Sequence, residues 1–488
     1  MSASRKTWTT LLALACFGIT MLAGVATAEA QFRTTMLLSR AYDGGLPNGE
    51  SRNASISRDQ RIGRIAAYES DATNIVPGDD NKATDVFMVK RKAPWAWNGS
   101  LWHAGETLLI SRGMDGQPGN GRSFKPSVSG AGSTTPTCVA FLSDASNLVP
   151  DDTNGVTDAF IYNIKSQKIT RISVNSRGQE ANAATTEVTV NSRCDRLAFV
   201  SRATNLAYTG GGRSEWSTSR TTQSGGQSQV YVRTLADRYK GEKFKGLTFL
   251  ASASNSRRAG NGDSNEVSFA RFGYSLAFTS TSTNLVGADR NANKDVYSRS
   301  FDKGRKLKFK TLLVSQRNGR VGNGPSSHPS INEYGQYVAF QTDASNLLDG
   351  DHNGVSDIVE RDVLKKKNLW VSKSVSGIGN GPSIEPEISG GGIFVMFSST
   401  ATNLKPGTGI RPVNNGAKNI MLWNKGNRHV SIEARDHERR YLDADASNPS
   451  SSLRGNYVLF QSATTKADPV VRNFTGKQQV YLLYLGAM

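Results

Sequence analysis

Four stretches of this chain carry one pattern, Asp-x-Asn-x-x-x-Asp: Asp79, Asn81 and Asp85; Asp152, Asn154 and Asp158; Asp289, Asn291 and Asp295; and Asp351, Asn353 and Asp357. Carboxylate and amide oxygens at alternate positions of a short loop suit a hard cation such as Ca2+, whose shell of about six to eight oxygens is completed by backbone carbonyls or water. The set is not an EF-hand. Counting each first Asp as position one, the twelfth positions are Lys90, Asn163, Ser300 and Asp362, where that motif needs a bidentate glutamate. The same residues also fold a loop without any ion, because Asp and Asn side chains bond their own nearby backbone. Spacing leaves both readings open, a repeated ion site or a repeated turn.

Other residues with chemical reach are more scattered. His103, His328, His352, His429 and His437 stand in no nucleophile, zinc or phosphate-loop motif. Glu385 with Glu387, and Asp443 with Asp445, are i, i+2 carboxylates that share a strand face, a spacing too common to define a general acid and base. Trp95, Trp97 and Trp102 lie within one short stretch and are candidates to stack on a sugar ring or meet a lipid interface; the competing reading packs them over neighbouring structure. Lysines and arginines gather at Lys90-Arg91-Lys92, at 238–245, at 303–310, at Lys365-Lys366-Lys367 and at Lys425 and Arg428. They make either a rim for anionic polymers and lipid headgroups or a solvated guard on outer strands.

The elements that must position these residues recur. The aromatic closing each "VAF"-type strand falls at Tyr68, Phe141, Phe199, Phe278, Phe340, Phe397 and Phe460, in steps of 57 to 79 residues. Each unit reads as four short strands of alternating polarity, broken by Gly, Asn and Pro. Between the third and fourth of these lies the Asp/Asn loop. No amphipathic helix intervenes. Seven such units predict an all-β, seven-bladed propeller of four-stranded antiparallel blades. Thr34 to Ser39 copies the strand that opens each unit, and Gln479 to Leu485 lacks its following partner. The N-terminal strand is therefore expected to close the last blade and remove two sheet edges.

The pair Ser330 to Phe340 and Asp357 to Asp362 resembles the WD40-like repeat of TolB-type propellers, and the resemblance runs through the chain repeat by repeat. It implies a propeller and little about activity, because that repeat serves periplasmic interaction proteins, hydrolase accessory domains and other secreted proteins. The chain departs from TolB in lacking a separate N-terminal α/β domain and in carrying seven units where TolB has six.

Arg5 and Lys6, the apolar run Leu11 to Val25 and Ala28-Glu29-Ala30 read as a secretory signal, so residues 1–30 are expected to be removed and 31–488 to form one domain. What remains holds 57 basic and 40 acidic residues, a net charge of +17, and no later run long enough to span a membrane. Cys138 and Cys194 sit just ahead of equivalent strands in adjacent units, and export permits a disulfide between them. A Gly/Ser/Thr-rich insertion at about 207–227 interrupts the third unit. Nucleic acid is not expected as a partner, since no recognition helix or recurring aromatic-basic strand is present. The reading these features support is an exported, non-enzymatic module, periplasmic or secreted, binding protein or anionic envelope polymer through loops of one face that calcium stiffens. The alternative from another class is a glycan-active hydrolase or lyase with carboxylates at the central channel.

Overall fold

The computed structural model describes residues 34–486, except 60–62, 93–101, 103–104, 133, 207–225, 236–245, 302–308, 405–415, 437 and 439. Residues 1–30, Trp95 and Trp97 and most of the 207–227 insertion therefore lie outside the described residues. So do most of the basic turns at 238–245 and 303–310. Among the described residues no helix is long and apolar enough to cross a membrane.

Seven four-stranded antiparallel sheets form the blades of a β-propeller. In blade five, Ser326–Ile331, Tyr337–Thr342, Asp357–Asp362 and Lys367–Trp370 pair in sequence order. Neighbouring first strands lie against one another all the way round, blade seven meeting blade one, so they line the axis. Second and third strands are sandwiched between neighbouring blades, which is why Cys138–Ser143 and Gln479–Tyr484 are buried along their whole length. The sequence marks this layer with unbroken apolar and small residues. The aromatic ladder stacks across it: Phe141 on Phe160 at 5.9 Å between centroids, Phe199 on Tyr231 at 5.6 Å and Phe278 on Tyr297 at 5.7 Å.

Closure follows the expected route. Thr34–Leu37 pairs with Gln479–Tyr484, Thr34 opposite Tyr484 and Leu37 opposite Tyr481, and supplies the outer strand of blade seven. Leu37 and Leu483 then share one apolar cluster with Phe460 and Met396, tying the chain's beginning to blades six and seven.

Antiparallel order sorts the connections onto two faces. The strand that opens each sequence unit is the outer, fourth strand of the preceding blade, so the Asp/Asn loops join second to third strands of a blade. These loops and those passing to the next blade share one face; inner hairpin turns and third-to-fourth turns share the other. On the loop face, the second glycine of each Gly-Asn-Gly turn backs onto the second-to-third-strand loop that follows it in the same blade: a Cβ on Gly324 would stand 2.8 Å from Asp343 O. Asn323 completes the join, with its Nδ2 donating to Ser345 Oγ and its backbone N to Asn346 Oδ1. On the opposite face, backbone bonds lace the inner turns together from Arg58 N to Gly130 O, then Gly130 N to Ser192 O, Ser192 N to Arg271 O, Phe272 N to Glu333 O, Glu333 N to Gly390 O and Gly390 N to Leu453 O. Thr34 and Tyr484 both stand at this laced face.

Candidate functional site

Each Asp/Asn loop folds by turn chemistry. The amide of Asn81 donates from Nδ2 to Asp85 Oδ2 at 2.7 Å and to Gly119 O at 2.9 Å, while its Oδ1 accepts from Ala83 N. Asn154 and Asn353 repeat the arrangement with Asp158 and Asp357, and Asn291 holds Gly322 O in the same way. The closing Asp is buried at the head of the third strand and takes a hydroxyl from a serine just past the end of the fourth, as from Ser315 to Asp295 at 2.6 Å. Burial raises the acids of these loops, Asp85 and Asp158 to about 6 and Asp295 to about 7. The opening Asp differs from loop to loop. Asp79 is pushed up to about 7, first by burial and then by the charges of Asp85 and Asp80. Among the described residues no cluster of three or more His, Cys, Asp or Glu side chains is assembled.

The axial channel carries a second set of acids. Every first strand pairs irregularly with its second strand. At six of these bulges a non-glycine residue, Asn53, Lys125, Glu266, His328, Glu385 or Asn448, takes positive φ. A bulge frees an amide, and a side chain of an adjacent blade captures it. Lys125 N donates to Glu69 Oε2, Glu266 N to Glu187 Oε1, His328 N to Glu266 Oε2 and Asn448 N to Glu385 Oε2. Glu387 spends one oxygen on Arg58 and the other on Ser330 Oγ at 2.8 Å. Arg58 is almost fully buried, and that burial, with Arg271 alongside, lowers its guanidinium to about 9, still a cation near neutral pH. Glu385 and Glu387 thus tie blade six to blades five and seven and, through Arg58, to the inner turn of blade one. Asp443 and Asp445 likewise accept from Thr465 N and Lys418 N on the loop face.

Trp102 is 2% exposed and packs edge-on against Tyr457 of blade seven at 6.0 Å, which removes it from any ligand surface. Cys138 and Cys194 are joined as a disulfide, with Cα atoms 6.1 Å apart. Of the basic turns, Lys365, Lys366 and Lys367 are exposed, but Arg91 is buried against Tyr457 and Lys425 pairs with Glu360 while lying 3.3 Å from the Tyr337 ring centre. Sequence reasoning missed one feature. On the loop face at the closing seam, Tyr42, Val470 and Phe474 are 67%, 79% and 76% exposed. The Arg40–Asp468 ion pair, and the packing of Leu46 and Val471 on one shared apolar cluster, hold their two segments together. The available signal was a set of large apolar residues inside polar turns such as Ala41-Tyr42-Asp43-Gly44.

Glu360 makes a measurable pH signature. It is wholly buried, and burial outweighs Lys425 to raise its carboxyl to about 6. The neutral form favours the fold, so its contribution is complete below the unfolded value near 4.5 and is lost as pH rises through 6. Glu360→Gln is expected to remove this dependence, gaining up to about 2 kcal/mol on the wild type between pH 4.5 and 6.5 in paired urea melts. A constant difference between the two proteins across that range would refute it.

No family model matches the chain, and no curated protein matches its sequence. Among solved structures, an oligogalacturonate lyase from Vibrio parahaemolyticus is 9% identical, covering 93% of this chain and 97% of that one with a TM-score of 0.49. The β-propeller domain of the Trilobed protease from Pyrococcus furiosus is 10% identical over 89% and 94%, at 0.46. TolB from Acinetobacter baumannii is 12% identical over 90% and 79%, at 0.35.

Proposed function

We propose that this propeller is an exported, non-enzymatic interaction module of the periplasm or cell exterior that binds a protein or an envelope glycan through its loop face. The observation carrying this reading is the exposed trio Tyr42, Val470 and Phe474 at the closing seam, on the face opposite the laced turns. Rigid scaffolds place recognition on such loops, and aromatic side chains suit both protein and sugar contact. The disulfide fits an oxidising compartment. A hydrolase or lyase would need free carboxylates converging in the channel. Glu187, Glu266, Glu385 and Glu387 are instead engaged between blades, which weighs toward binding.

A photo-crosslinking residue placed at Phe474 tests this in an envelope extract, with the same residue at Tyr334, 72% exposed on the other face, as control. The expected result is a discrete adduct from position 474 alone, competed by unlabelled wild type and not by a Tyr42→Ser, Phe474→Ser variant. Equal labelling from both positions, or competition by the variant, would sink the proposal.

A further inference from the structure

The four Asp/Asn loops answer one electrostatic problem, two acids facing each other at the edge of a blade, in different ways. In blade two the Arg171 guanidinium enters between them, 3.1 Å from Asp152 Oδ1 and 3.8 Å from Asp158 Oδ2. In blade four the Tyr297 hydroxyl donates to Asp289 Oδ2, and Asn291 N lies 3.3 Å from the other oxygen. In blade five Asp351 is half-buried, and the Trp370 indole reaches Asp357 at 3.4 Å. Strand register fixes the counterparts in blade one. Phe87, opposite Tyr68, holds the place of Tyr297, opposite Phe278. Leu109, two residues before Ser111, holds the place of Arg171, two before Ser173.

Neither Phe87 nor Leu109 can donate a hydrogen bond. Asp79 is only 6% exposed, and its Oδ1 is buried without a hydrogen-bond partner among the described residues. The nearby cation, Arg112, is turned to Leu109 O and Gly116 O. Asp85 already takes Ser111 and Asn81, and Asp80 adds a third negative charge from solvent. We infer that the blade-one loop is a Ca2+ site formed by the carboxylates of Asp79 and Asp85, at the place where blade two inserts its own guanidinium. Oxygen donors on an irregular loop suit Ca2+ over Mg2+, which demands near-octahedral order. The inference is independent of what Tyr42 and Phe474 bind.

Equilibrium dialysis of EDTA-stripped full chain against radioactive Ca2+ at pH 7.5, with and without excess Mg2+, tests it. The expected stoichiometry is about one ion per chain, resistant to Mg2+. It should fall to none in Asp79→Asn and stay unchanged in Asp152→Asn. Arg171→Leu supplies an arm that does not depend on the Asp79 variant folding, because vacating the guanidinium should raise the count to about two. Circular dichroism accompanies each variant. The inference is overturned by no binding to the wild type, by an ion retained in Asp79→Asn, by about four ions per wild-type chain, or by an Arg171→Leu count equal to the wild type.

Discussion

Asp468→Ala is expected to lower the unfolding free energy by about 3–5 kcal/mol, the cost of removing one partner from a buried charged network. The carboxylate is 2% exposed and bonds both sides of the closing seam. Its Oδ2 accepts from Leu37 N at 2.7 Å and Arg40 Nη2 at 3.2 Å; its Oδ1 accepts from Val470 N at 2.7 Å and Val471 N at 2.9 Å. Alanine leaves these donors without an acceptor and Arg40 without its partner. Asp468→Asn keeps a single acceptor oxygen and should lose roughly half as much. Urea melts give the size of the effect. Hydrogen exchange gives its place, because the amides of Thr34–Leu37 should lose protection before those of blades two to five. Uniform loss of protection, or a cost under about 1 kcal/mol, would show that the seam does not depend on this residue.

The disulfide carries the second large effect. It closes a loop with a sequence separation of 56, for which chain entropy gives about 4 kcal/mol. Replacing the pair should cost about 2–4 kcal/mol, and the choice of replacement matters. Cys194 has φ of 56° in a turn where its counterparts Gly273, Gly335, Gly392 and Gly455 have φ of 71° to 78°. The left-handed conformation disfavours a side chain by about 1–2 kcal/mol, so the bridge holds a cysteine where the fold asks for glycine. Cys138→Ala with Cys194→Gly should therefore be about 1 kcal/mol more stable than Cys138→Ala with Cys194→Ala. Thermal melts with and without reductant test both statements. Reductant should destabilise the wild type and leave either double variant unchanged.

The architecture was legible because each blade repeats its own local pattern. An aromatic at the end of an apolar strand, a Gly-Asn-Gly turn and an opening strand copied at Thr34 to Ser39 are local features, and each fell where the propeller needs it. What was not legible acts between blades. Glu187 and Glu266 look like surface acids in sequence, yet each closes an amide of the next blade, 79 and 62 residues away. Trp102 and Lys425 looked available for ligands because their partners Tyr457 and Glu360 lie in other blades. The four acidic loops read as equals. The residues that set them apart, Arg171, Tyr297, Phe87 and Leu109, sit on strands where they looked like ordinary packing.

The chain enters and leaves the ring at the laced face, since Thr34 pairs with Tyr484 there. That arrangement fixes a direction of display. A tether, tag or carrier attached at either end holds the Asp/Asn loops and the Tyr42 seam pointing away from the support, and surface-capture measurements made through either end should present the same face to an analyte.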